Sequence, residues 1–112
     1  MTRGLDQSLI LYPKKEWESL ALKLSSLPIT KSDSRAVARH FLSGAFEVEL
    51  DKQGRMMIPD YLRKFGNLTK RVVIAGLYNR IEIWDEAEWM DYKKNTEKES
   101  TSIAENLGEL GV

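Results

Sequence analysis

The chain has 112 residues, 42% of them hydrophobic and 30% charged, the size and composition of one ordinary globular domain. The longest apolar run, Val72 to Leu77, is strand-sized rather than membrane-spanning, and Arg3, Asp6 and Gln7 interrupt any apolar leader core. The absence of cysteine and a single histidine argue against disulfides, thiol chemistry, a metal cluster or a Ser-His-Asp site, and 17 basic against 17 acidic residues leave no net charge, so a nucleic-acid surface would have to be local.

Thr2 to Gly4 reads as the end of a strand and a turn, and Leu9 to Tyr12 as a short strand. Pro13 suits the start of a helix over 14–25, whose apolar stripe is Trp17, Leu20, Leu24 and Leu27, and Pro28 stops it. Ser32 or Asp33 is the expected cap of a second helix over about 34–43, ending at Gly44 in a left-handed conformation. Strict alternation then predicts a half-buried strand, with Phe46, Val48 and Leu50 on one face and Glu47 and Glu49 on the other. Asp51-Lys52-Gln53-Gly54 is a turn, and Arg55 to Ile58 returns as a strand. Pro59 opens a short helix to Phe65, closed by Gly66-Asn67. Arg71 to Ala75 and Ile81 to Trp84 form a second hairpin, and Asp85 caps a last helix with Glu88 as its capping-box partner. Residues 93–102 are polar and read as a mobile stretch; Ile103, Leu107 and Leu110 then mark a weak amphipathic helix.

A repeat overlies these elements. The segment from Gly4 to Trp17 matches Gly76 to Trp89 at a constant offset of 72 without a gap. Leu9 and Leu11 fall on Ile81 and Ile83, Tyr12 on Trp84, and Glu16-Trp17 on Glu88-Trp89. At this offset Met1 falls on Val73. The first copy is therefore expected to lack roughly 30 residues of its unit, by truncation in preference to a native half-repeat. The expected layout is half a repeat over 1–30, a connecting helix over 31–44, a complete repeat over 45–92 and a tail over 93–112. Two such units could intertwine into a small barrel, whereas one alone would bury too little surface.

The turn carries the chemistry. Arg55, directly after it, can project its planar fork toward guanine edges or phosphate oxygens, or pair with Asp51 across the turn; the two roles are compatible. Lys52 at the tip is a candidate phosphate contact, Gln53 a weaker candidate for reading adenine, and Gly54 supplies backbone conformation. Arg35 and Arg39 share a helix face and are either a polar surface between repeats or phosphate contacts; Arg63, Lys64, Lys70 and Arg71 form a second basic cluster open to the same two readings. The tryptophans read as core and interface anchors rather than base-stacking platforms. No phosphate loop or nucleophile–base pair is present, so no enzyme, cofactor, metal or small-molecule substrate is expected.

Val48 to Pro59, with Asp51, three residues and then Arg55 before an apolar run and proline, resembles the signature of the SpoVT/AbrB-type swapped-hairpin domains. Thr2 to Gln7, Tyr12-Pro13 with Trp17, Phe41 to Ala45, and Ile81 to Trp84 with Trp89 resemble the MraZ family in order and spacing. The resemblance covers residues 2–92 and implies an α+β fold: an AbrB-like swapped-hairpin small β-barrel with short flanking helices and tandem repeats, here with the first repeat incomplete. It implies a cytoplasmic, nucleoid-associated transcriptional regulator, usually a repressor. Such a protein binds double-stranded DNA upstream of the division and cell-wall gene cluster as a homo-oligomer, in rings, through an Asp-x-x-x-Arg turn in each repeat. Only the Asp51–Arg55 turn is present here. The alternative is a swapped-hairpin interaction module without DNA binding, because a half-repeat leaves strand edges open.

Overall fold

The computed structural model describes residues 1–111. Its elements in chain order are β1 (Thr2–Arg3), β2 (Ser8–Leu11), α1 (Lys14–Ser25), α2 (Ser32–Leu42), α3 (Asp60–Phe65), β3 (Val72–Gly76), β4 (Ile81–Asp85), α4 (Glu86–Lys98) and α5 (Ser100–Glu109). The strands form one antiparallel sheet in the order β1-β2-β4-β3. The chain is thus α+β. No helix among the described residues is long and apolar enough to cross a membrane.

The centre of the sheet joins distant parts of the sequence. β2 pairs with β4 in the register Leu9↔Ile83, Ile10↔Glu82 and Leu11↔Ile81. Ile10 and Glu82, at the middle of that pairing, are separated by 72 positions, the offset of the two matched segments. Residues 1–30 and 45–92 consequently share one sheet. Directly paired residues project from the same face, so Leu9 and Ile83 meet side by side. Leu62 of α3 is fully buried against them and Met1, and Val48, Met56, Ile58, Phe65 and Leu68 close around this cluster. Trp84, one residue along, projects from the other face. There it packs edge-on against Trp89 of α4, at 5.4 Å between ring centroids, and lies 4.8 Å from Tyr92. Tyr12 and Trp17 make a looser pair at 6.0 Å beside the start of α1.

A clamp ties β1 to the end of α2. Thr2 Oγ1 donates to the Phe41 carbonyl at 2.6 Å, and Arg3 Nε to the His40 carbonyl at 3.2 Å. Arg3 Nη2 also donates to Ser43 Oγ at 3.0 Å. A guanidinium here satisfies last-turn carbonyls and complements the negative end of the helix dipole. His40 Nε2 lies 2.7 Å from the Gly4 carbonyl, so Nε2 is the ring nitrogen that carries the proton. His40 also packs edge-on against Phe41 and Phe65.

Several local expectations change. Phe46–Leu50 and Arg55–Ile58 are not strands of the sheet. Only Phe46 is tied to the sheet margin, where its N–H and carbonyl exchange bonds of 2.8 and 2.9 Å with the backbone of Met1. The alternation records partial burial of Val48, not a ladder; Phe46 and Leu50 are exposed. α2 begins at Ser32, after Lys31, with no side-chain cap, so neither Ser32 nor Asp33 serves as one. Gly44 has no positive φ. A β-carbon there would lie 2.7 Å from Arg3 Nε, so the clamp itself requires glycine. Gly66-Asn67 does close α3, with Asn67 in the left-handed conformation at φ 52°. Asp85 caps α4 through the Ala87 N–H at 3.1 Å, and its carboxylate also accepts from the Thr69 N–H at 2.9 Å and Thr69 Oγ1 at 2.6 Å. Thr69, rather than a capping-box Glu88, is the partner that completes this cap. The polar stretch over 93–102 is largely helical, because α4 runs on to Lys98 and α5 begins at Ser100.

Replacing Leu62 by Ala deletes a fully buried side chain at the junction of α3 and the sheet. It should cost about 2–5 kcal/mol, read as a lowered midpoint in thermal unfolding followed by circular dichroism.

Candidate nucleic-acid interface

The site starts from a carboxylate that organises its own turn. The Asp51 carbonyl accepts the Gly54 N–H at 3.0 Å, and the Asp51 N–H donates to the Arg55 carbonyl at 2.9 Å. Asp51 Oδ1 accepts the N–H groups of Gln53 and Arg55 at 2.9 and 2.8 Å. Asp51 Oδ2 takes Arg55 Nε at 2.9 Å. Aspartate suits this position because its short side chain reaches the backbone two and four residues on. Gly54 has φ +76°, and a β-carbon there would meet nothing within 4 Å. Backbone conformation, not space, selects glycine.

Arg55 is 74% exposed along its side chain. Its Nε–H is used by Asp51, which leaves the four N–H donors on Nη1 and Nη2 for a ligand. An exposed pair of this kind adds little to stability; its consequence is orientation. The Arg55 backbone N–H, with the Arg55 guanidinium and the Gln53 N–H, holds the Asp51 carboxyl below its ordinary value of 3.8. The contribution of these bonds is therefore present above that ordinary value and is lost as pH falls through the lower folded one. Lys52 and Gln53 are exposed at the tip.

The hairpin is anchored at its base. Val48, Met56 and Ile58 pack against the core cluster, while Leu50 and Met57 project outward, 65% and 79% exposed. Asp51 to Arg55 are thus gathered on one protruding turn above an anchored stem. Arg35 and Arg39 are not joined to it by any hydrogen bond or ion pair among the described residues. Arg35 Nη1 donates to the Ile29 carbonyl at 2.8 Å, which engages it with the loop before α2. Arg39 is exposed on the same helix. In the second basic cluster Arg63 pairs with Asp60, and Arg71 lies 3.9 Å from Glu86. Lys64 and Lys70 are exposed. The Thr2–Arg3 clamp on α2 was missed from sequence because its partners lie 36 to 40 positions away.

The family model described as "MraZ protein, putative antitoxin-like" matches residues 1–40 and 41–108. The chain belongs to the MraZ family. A relative from Natranaerobius thermophilus, named "Transcriptional regulator MraZ", is 48% identical over 111 residues, covering 99% of this chain and 78% of that protein. The two matched stretches of the MraZ model meet inside α2, so each contributes one of the two central strands, β2 and β4.

Carboxyl-carbon NMR should give Asp51 a titration midpoint below 3.8. Arg55→Ala should return only part of that shift, because the backbone N–H at position 55 remains. A full return would show that the guanidinium alone sets it.

Proposed function

We propose that this chain is a sequence-specific regulator of transcription that binds double-stranded DNA as a homo-oligomer through its Asp51–Arg55 turn. The observation that carries the reading is the Asp51 carboxylate, which fixes both the turn backbone and Arg55 Nε while the guanidinium's outer donors stay free. A pre-oriented fork on a protruding turn suits the paired O6 and N7 acceptors of guanine, or a phosphate. Lys52 would add a phosphate contact, Gln53 a base-edge contact, and Asp51 and Gly54 would hold the turn in shape. Arg39, and Arg35 insofar as it leaves the Ile29 carbonyl, would track the backbone alongside. The name of the 48% identical relative supports the regulatory role. We take the target to lie upstream of the division and cell-wall gene cluster, with repression as the effect and the nucleoid as the site of action, as the resemblance implies.

A neutral chain with one basic turn binds weakly by itself; several turns on one assembly gain affinity through effective concentration. Oligomerisation is therefore part of the mechanism. A second reading, an interaction module without DNA binding, draws on the exposed Leu50 and Met57 beside the turn, apolar positions that a protein partner could cover.

Fluorescence anisotropy with a duplex from upstream of the chain's own operon, at two salt concentrations, separates the two readings. Binding should fall steeply with salt. Arg55→Ala should weaken it by about 1–3 kcal/mol per turn engaged and relax base preference. Binding unchanged by Arg55→Ala would move the contact to the basic helices. No binding at either salt would leave the interaction module standing.

A further inference from the structure

Beside the Trp84 cluster lies a groove of about 250 Å³. Asp6 from the turn between β1 and β2, Trp84 from β4, and Glu88, Asp91 and Tyr92 from α4 line it. Asp91 and Tyr92 follow Glu88 by three and four positions, which puts all three on one face of the helix. Trp84 is buried, while Tyr92 is 41% exposed and offers the open ring. The groove combines aromatic rings with carboxylates, and no lysine or arginine lines it. Asp6, Glu88 and Asp91 enter no ion pair among the described residues.

The repeat supplies an internal comparison. Helices α1 and α4 start 72 positions apart, at Lys14 and Glu86. At that offset Trp84 falls on Tyr12, Glu88 on Glu16, Asp91 on Ser19, and Asn95, another groove residue, on Lys23. The related face of α1 thus carries one carboxylate and one ammonium where α4 carries two carboxylates. Arg80 stands opposite Tyr12 when the β2–β4 register is continued by one residue, and its charge opposes the upward push that burial gives the Tyr12 hydroxyl. Ser8 is the residue 72 positions before Arg80, and it pairs with Trp84 in the same register. Its hydroxyl is buried and has no hydrogen-bond partner. One aromatic is therefore served by a guanidinium of this chain. The other has an unpartnered hydroxyl in that place and three unpaired carboxylates beside it.

We infer that the groove beside Trp84 docks an arginine side chain of a partner protein. A guanidinium stacks on an aromatic face and binds carboxylates through its planar fork. Tyr92 and Trp84 receive its plane, and Glu88, Asp91 and Asp6 accept its N–H donors. Arginine fits better than lysine, whose ammonium is a point charge with no plane to stack. Charge complementarity names the occupant: three unpaired carboxylates around aromatic surface, with no cation of this chain among them, form a negative site for an incoming cation. The docking surface goes beyond the DNA reading and uses no residue of the Asp51–Arg55 turn. It lies on the face of the sheet from which Trp84 projects, opposite the face that Leu62 covers.

The test uses the whole chain without DNA, so its failure and failure of the DNA reading are separable. The probe is the peptide acetyl-Gly-Arg-Gly-amide, titrated into the chain and followed by assigned amide NMR. The same peptide with citrulline in place of arginine keeps the shape and removes the charge. The arginine peptide should shift the amide signals of residues 88–95 until they saturate, and the citrulline peptide should leave them in place. Glu88→Gln combined with Asp91→Asn should abolish the shift while leaving the circular dichroism spectrum unchanged. Glu16→Gln, on the related face of α1, should keep it. No shift with the arginine peptide, an equal shift with the citrulline peptide, or a shift that survives the double substitution would overturn the inference. Sedimentation of the wild-type chain and the double variant identifies the source of the arginine. Equal masses are expected; a mass that falls in the double variant would make the occupant a second copy and overturn its assignment to a partner protein.

Discussion

The antiparallel pairing of β2 with β4 is the constraint on which the remaining structure depends. It brings Leu9 beside Ile83 and so creates the apolar floor onto which Leu62 is pressed. Without that floor α3 would have nothing to bury against, and the extended stem carrying Val48, Met56 and Ile58 would lose its anchor. The protruding turn is therefore held indirectly by two strands that contribute no residue to it. A six-residue helix such as α3 has almost no stability of its own. Its place is set by this burial and by the Leu68 N–H closing back on the Arg63 carbonyl at 2.9 Å.

The same pairing fixes the flanks. Trp84 leaves the sheet on the face opposite Ile83 and meets Trp89 and Tyr92, so α4 is positioned by aromatic packing immediately after β4. Asp85, held by Thr69 as well as by the α4 N-terminus, locks the strand-to-helix corner against the loop before β3. The Thr69 hydroxyl and N–H, with the Ala87 N–H, hold the Asp85 carboxyl below its ordinary range. At the other end, Thr2 and Arg3 capture the last turn of α2. The C-terminus of α2 and the N-terminus of α4 are thus each satisfied by specific side chains.

The turn obeys a different logic from the core. Its bonds are local, spanning two to four residues, and it is exposed, so its shape does not depend on distant packing. Its direction does. The stem is extended without ladder partners along most of its length, and Phe46 with the half-buried Val48, Met56 and Ile58 ties it to the body.

What the sequence alone determined was what is local. Helix α1 over 14–25, the two strands of the β3–β4 hairpin, the short helix after Pro59 and the Asp51–Arg55 turn all follow from periodicity, proline placement and the reach of an aspartate, because each is decided by contacts within a few residues. The 72-residue offset was legible too, since it needs only a comparison of the chain with itself. Tertiary structure decided the rest. Alternation at Phe46 to Leu50 reads as a sheet strand because burial and pairing leave the same period-two signature. Only the structure shows that Val48 is half-buried against the core while the stem's backbone is largely unpaired. Gly44 reads as a helix stop, yet it is small because Arg3 crosses it, a contact 41 positions away. The cap of α4 is completed by Thr69, and the polar stretch after Tyr92 continues as helix. For Val48, Gly44 and the α4 cap the deciding partner is remote in sequence, and local composition carries no trace of which remote group will arrive.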